Sequence, residues 1–359
     1  MHLFRIKEIG IKERKRQSNI ELLRIISMIL VMVVHADFKA LGIPSQNEII
    51  DFPVSSFMRF FIESISIVCV NIFILISGWF GIRFKLKRLV ELLFQILFVF
   101  IIISTFLFLN GDIKSIDVGV IIKQFCEDYW FIWAYIALYL FSPALNSFVE
   151  KETKKNVALF LILFYIFQTI WGFILPLSWF SRGYSPISFM GLYILGRYMH
   201  LYPNKYTERK QSSDLLMYLG MVLLTTSLAY FMSIIRIDPF KAYSYSSPLV
   251  IIESVFLFLF FKKMSFNSQM VNWIATSCLS VYLVHCFPIL FEWIYLYQIK
   301  EWFDSLRTIP FITHTFLWIG FIFVLSVAID KLHIYIWHKT PFYRNMANYK
   351  SDITPKTID

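Results

Sequence analysis

The sequence predicts an all-α protein, a polytopic transmembrane helix bundle of about ten spans with both termini cytoplasmic. The first observation behind this is composition. Of 359 residues 58% are hydrophobic, 19% aromatic and only 16% charged, with a mean hydropathy of +0.63. A soluble domain carries about a quarter charged residues, and 39 Phe exceed what one soluble core can hide. The second is segment length: a bilayer core requires roughly 20 apolar residues in a helix. Ten segments meet or approach that length, beginning near Asn19, Phe57, Leu89, Tyr129, Asn156, Pro186, Leu215, Pro248, Val271 and Ile312. The third is charge placement. With ten spans, the side bearing both termini carries about three times as many Lys and Arg as the other, which assigns it to the cytoplasm. Soluble globular and disordered classes are excluded.

Residues 1–18 form a basic cytoplasmic leader, 19–337 the transmembrane domain and 338–359 a cytoplasmic tail. Runs such as Tyr129 to Val149 and Thr308 to Ile329 contain no Asp, Glu, Lys or Arg. The sixth segment is the shortest, with 14 uncharged residues from Gly183 to Gly196. Aromatic residues gather at span ends, as at Tyr129-Trp130 and Trp179-Phe180, where amphipathic rings favour the interface. The net charge of +10 reports topology in such a chain, and no nucleic-acid partner is expected; membrane lipids are. Cys69, Cys126, Cys278 and Cys286 form no CxxC or metal spacing and read as buried apolar residues. No internal repeat supports an inverted-repeat transporter. There is no Walker A loop, GxGxxG before a helix, GxSxG or HExxH, and no metal site is expected. His333 and His338, near Trp337, read as juxtamembrane residues.

Charged groups inside spans cost at least about 2.5–3.5 kcal/mol near the bilayer centre, so they are the functional candidates. The first span, ELLRIISMILVMVVHA, holds Arg24 and His35. Eleven residues is close to three turns, or roughly 16 Å at 1.5 Å per residue, so both project from nearly one face. That face offers a cation at the inner mouth and an imidazole far up the helix, suited to an anionic donor whose reactive end meets a base. The alternative is an arginine snorkelling to lipid phosphate and an interfacial histidine.

Arg59 and Glu63, four apart, read as a self-neutralising pair. Ser77 and Gly78 permit close helix approach. Arg83, Lys85, Lys87 and Arg88 crowd a cytoplasmic loop, either as a topology signal or as a site for a phosphorylated ligand. Glu253 has no opposite charge within a turn, so it requires a partner from another helix or a proton. His285 lies deep in the ninth span, with Pro288 loosening the helix beyond it. It reads as a helix–helix hydrogen bonder or a substrate-site residue. His314 reads as interfacial.

The ordered set of motifs resembles the acyltransferase-3 family of integral membrane acyltransferases, in its stand-alone form. The family's first helix carries a basic residue, ten intervening residues and a histidine, here Arg24 and His35. NIFILISGWF resembles its Phe-rich Ser-Gly stretch. Lys85 and Arg88 match its paired basic motif at i, i+3, although Arg is more usual at the first position. SCLSVYLVHCF resembles its late Tyr-Leu-x-His helix, here Tyr282 to His285. YWFIWAYIALYLFSPAL and FMGLYILGRYM resemble its middle helices. The resemblance runs from about Asn19 to Trp337, and no fused extracytoplasmic domain is expected.

That resemblance implies transfer of an acyl group, usually acetyl from acetyl-CoA, across the membrane to a carbohydrate hydroxyl of a surface polysaccharide or lipid-linked glycan. The setting it implies is a bacterial inner membrane. His35 would be the catalytic residue, as base or transient acyl carrier, with Arg24 beside it. Arg24 and the cluster of Arg83, Lys85, Lys87 and Arg88 would hold the CoA phosphates. Tyr129, Trp130, Tyr282, His285 and Glu253 are the candidate substrate-binding residues; Trp133, like Tyr129 and Trp130, reads equally as an interface anchor. The competing class is a transporter or flippase of a lipid-linked sugar, which would bind with the same residues and break no bond. A glycan polymerase would require large external loops, which the sequence lacks.

Overall fold

The computed structural model describes residues 16–111, 129–175, 180–340 and 343; among them it is all helix, with no strand. Most of the leader and tail, Cys126 and Trp179 lie outside the described residues. The first helix, α1 (Ser18–Val34), continues into a π-helical turn at His35–Lys39. Then come α2 (Gln46–Asp51), α3 (Pro53–Ser66), α4 (Cys69–Phe80), α5 (Leu86–Asn110), α6 (Trp130–Lys151) and α7 (Lys154–Gln168). The second half comprises α8 (Pro186–Leu201), α9 (Gln211–Ile234), α10 (Pro248–Lys262), α11 (Gln269–Ala275), α12 (Cys278–His285), α13 (Tyr297–Ser305) and α14 (Thr308–Lys339).

Local chemistry sets these boundaries. Ser45 and Glu48 close a reciprocal capping box at α2. Thr153, Ser185 and Ser268 each accept a backbone N–H as N-caps of α7, α8 and α11, satisfying donors that a helix start leaves unpaired. Proline occupies the first turn of α3, α8 and α10, where its missing N–H costs nothing.

Every one of the ten predicted apolar segments contains helix, but not all are long. Among the described residues, seven helical segments are long and apolar enough to cross a membrane, including Ser18–Lys39 and Pro53–Phe80. The pair Cys278–His285 and Leu290–Ser305 is apolar enough when taken together but is bent by 91° at its break, the shape of a broken span or a re-entrant loop. Pro288, which lacks an N–H, sits in the break. The segments expected at Pro186 and Pro248 form helices of only 16 and 15 residues, short of the roughly 20 that a bilayer asks for. Apolar composition counts segments, whereas the caps at Ser185 and the chain turn after Lys262 fix how much of each is helix. His333 departs from its juxtamembrane reading: it is buried within α14, with Nδ1 3.6 Å from Asp330. Asp330 in turn accepts from Gln95 on α5 and Ser280 on α12, a polar tie between three helices.

Two glycines place the centre of the bundle. A Cβ on Gly78 of α4 would collide with the Tyr193 carbonyl of α8, and one on Gly196 would lie 2.6 Å from the Leu75 carbonyl. Without a hydrophobic force between helices in lipid, such close backbone approach is how they associate. The start of α1 is held against α10, where the Asn19 amide donates to the Phe261 and Lys262 carbonyls at 3.0 Å each.

Gly78→Ala is therefore expected to destabilise the protein by about 1–3 kcal/mol through overpacking. Gly220→Ala on α9, where a Cβ meets nothing within 4 Å, should be neutral. Thermal unfolding of detergent-purified protein followed by size exclusion compares them.

Candidate active site

One cavity of about 820 Å³ runs through the bundle. Two helical segments line it with a single face each. Arg24, Met28, Val31, His35 and Phe38 come from the first, and Glu63, Ile67, Val70, Phe73 and Ser77 from the second. Steps of three and four residues keep a lining on one side of a helix. Arg24, Ser77 and Leu92 mark one end; Lys39, Arg182, Phe240 and Glu292 mark the other.

His35 starts the π-helical turn, a distortion that often accompanies functional positions. Its Nδ1 lies 3.0 Å from Nε2 of His285. The Nδ1 of His285 lies 2.8 Å from the Val281 carbonyl oxygen. A carbonyl only accepts, so His285 Nδ1 carries hydrogen, and neutral His285 has its lone pair on Nε2. His35 must then donate from Nδ1, which leaves its own Nε2 with the free lone pair. The Phe291 ring sits edge-on to His35 at 4.9 Å. Tyr295 donates to the Met32 carbonyl at 2.6 Å, tying the bent pair to the helix that carries His35. Cys286 lines the same cavity, its Sγ 3.3 Å from His285 Nε2 and 4.0 Å from His35 Nδ1. It is thus a neighbour of both rings and not simply apolar filler. The two histidines and this thiol are a set that could hold a metal ion, a grouping across two helices that sequence spacing did not reveal.

Arg24 lines its end of the cavity, and Glu21, one turn before it, holds its guanidinium at 3.2 Å. Arg83, Lys85 and Arg88 are exposed and Lys87 half-buried on the loop and first turn of α5, and none lines the cavity. They follow Ser77 and precede Leu92 in the chain, which sets them beside the Arg24 end. Lys87 is 4.0 Å from Glu91 and lies over the Tyr343 ring. Arg197 of α8, which no motif flagged, faces this loop, since a Cβ on Gly81 would meet its guanidinium at 3.1 Å. Its charge is shared with Glu150 at 2.7 Å.

The substrate-binding candidates divide. Trp130 and Tyr282 line the cavity. His285 stands behind His35 as its hydrogen-bond partner. Tyr129 is buried away from the lining, donating to the Leu283 carbonyl at 2.7 Å. Trp133 is exposed outside it. Glu253 is also off the cavity; its partner is Thr225 of α9, which donates at 2.5 Å. Of the sequence-based set, Tyr129 and Glu253 thus lie outside this lining, because burial and chain position do not say which side of a helix faces the hollow.

The Arg59–Glu63 pairing is corrected too. Arg59 turns away to Asp37, with Nε 2.7 Å from the carboxylate, and reaches Glu48 at 3.9 Å and the Gly42 carbonyl. This pair clamps the chain immediately after His35 onto α3.

Fold and site define an integral, multi-pass membrane protein with a histidine pair at an internal cavity. The chain matches the acyltransferase domain model of the acyltransferase-3 family over residues 17–331, and it belongs to that family; it is an acyltransferase. No curated protein and no solved structure matches it.

Asp37→Asn should strip the buried Arg59 guanidinium of its buried counter-charge, leaving only the more exposed Glu48 at 3.9 Å. A loss of about 3–5 kcal/mol of stability is expected, read as a lowered thermal midpoint, while Lys300→Gln on α13 should stay within about 0.5 kcal/mol of the parent.

Proposed function

We propose that the protein is a CoA-dependent O-acyltransferase that moves a small acyl group, acetyl in the simplest case, from cytoplasmic acyl-CoA to a carbohydrate hydroxyl of a surface polysaccharide or lipid-linked glycan. The observation that carries this reading is that Arg24 and His35 line one continuous cavity, with the lone-pair nitrogen of His35 left unused by its partner.

CoA carries several negative charges, and its thioester ends a thin, nearly neutral arm. Arg24 with Lys85 and Arg88 anchors the phosphates at the cytoplasmic mouth. The arm then spans the roughly 16 Å from Arg24 to His35 expected for eleven helical residues. A cavity of about 820 Å³ falls in the range of small-molecule sites. At the thioester, His35 Nε2 takes the proton of the acceptor hydroxyl as its oxygen attacks the acyl carbon. The C–S bond then breaks, and the imidazolium returns that proton to the departing thiolate. One ester forms, one thioester is consumed and CoA leaves as the thiol. His285 is a positioning residue: it accepts from His35 Nδ1–H, fixes the tautomer and disperses the charge that His35 gains, as the third member of a nucleophile–base–orienter set does.

His35→Ala is expected to abolish acylation of surface glycan, measured by mass spectrometry, while the protein still inserts and purifies. His285→Ala should lower kcat by about 10²–10⁴ with little change in the KM for acyl-CoA. Arg88→Glu should raise the KM for acyl-CoA by about tenfold, and that for the acceptor far less, from loss of a charge-assisted phosphate contact. Purified protein given labelled acetyl-CoA decides the class, since a transporter or flippase would leave the thioester intact.

A further inference from the structure

The buried carboxylate of Glu63 has no role in the chemistry above, yet it lines the cavity and is 2% exposed. Its natural neighbour, Arg59, is committed to Asp37 and Glu48. Glu63 Oε2 meets no hydrogen-bond donor among the described residues. A buried carboxyl oxygen without a donor is expensive, and each such group in a folded protein calls for an explanation. The explanation lies in what surrounds it.

Three aromatic rings converge on the same cavity. Trp130 of α6 lies 4.4 Å from Tyr184 and, nearly parallel, 6.1 Å from Tyr245, and the two tyrosines are 5.0 Å apart. Glu63 lines the same cavity as both tyrosines. The wall is held in place by polar anchors: Asn71 donates to the Tyr245 carbonyl at 3.1 Å, and Ser244 donates to the Arg182 carbonyl at 2.8 Å. Ring faces accept the C–H face of a pyranose, and carboxyl oxygens accept from hydroxyl donors. An aromatic wall with a carboxylate also suits an organic cation, but Lys39 and Arg182 offset Glu63 and Glu292 at this end of the cavity, so no excess of negative charge selects one.

The geometry points to an acceptor subsite for an uncharged pyranose ring, stacked on Trp130, Tyr184 and Tyr245, with Glu63 accepting from its hydroxyls and so presenting another hydroxyl to His35. This assignment rests on the acyl-transfer reading and specifies its acceptor. It gives Glu63 a positioning task, and it places the acceptor on the opposite side of His35 from the CoA anchor at Arg24.

The test uses the strain that carries this chain, with the chromosomal copy deleted and complemented by wild type, Glu63→Gln or Glu63→Asp. Acetyl content of purified surface glycan is measured by proton NMR, and binding of tritiated acetyl-CoA is measured on each purified full-length protein. Glu63→Gln should cut acetylation about ten- to hundredfold, the effect of losing one or two buried hydrogen bonds, with the Kd for acetyl-CoA within about twofold of wild type. Glu63→Asp should recover part of the loss, which a merely structural carboxylate would not separate from donor binding. Should the Gln variant fail to purify as a monodisperse particle, Trp130→Leu, which keeps apolar volume but removes the ring face, is expected to give the same split. Wild-type acetylation by Glu63→Gln overturns the subsite, as does equal loss of acetylation and donor binding. A wild-type protein that neither binds acetyl-CoA nor acetylates glycan overturns the reading as an acetyl-CoA-dependent glycan acetyltransferase, and the subsite with it.

Discussion

The contact between His35 and His285 organises the interior of this protein. Two imidazoles 3.0 Å apart, on helices 250 residues apart in the chain, meet because both helices are distorted where they touch. The first winds into a π-helical turn at His35; the other stops at His285 and bends through 91° past Pro288. The Val281 carbonyl then settles the hydrogen-bond direction, since an acceptor-only group at one end of the chain of contacts fixes the proton on every ring nitrogen along it.

Around this contact the bundle keeps a hollow instead of closing on it. Gly78 and Gly196 let α4 and α8 approach backbone to backbone, so dense packing is concentrated on one side of α4 while the Glu63–Ser77 face is left to the cavity. The Asp37–Arg59 ion pair holds the turn after His35 against α3. Polar groups that would be costly in lipid are tied across helices: Thr225 to Glu253, and Gln95 and Ser280 to Asp330. The histidine pair is thereby held between packed helices, beside the cavity that His35 lines.

The cations divide by function in a way that composition conceals. Arg24 is the basic residue of the resemblance that enters the cavity; Arg83, Lys85, Lys87 and Arg88 remain on the surface near its mouth. Arg59, the most enclosed arginine of the first two spans, serves structure alone.

The sequence by itself determined the membrane class, the ten apolar segments, the family and the Arg24–His35 spacing, because these depend on composition and on helical periodicity within one segment. Glu63, Ile67, Val70, Phe73 and Ser77 form a similarly spaced face, legible in principle, but the nearby Arg59 offered a local partner that obscured it. Tertiary structure alone decided that Arg59 prefers Asp37, that Cys286 joins the two histidines, and that Tyr184 and Tyr245 meet Trp130. The same holds for Tyr129 and Glu253, which face away from the cavity. Each of these is a contact between segments far apart in the chain. Such pairings are set by how helices rotate and bend against one another, which no periodicity within one helix encodes.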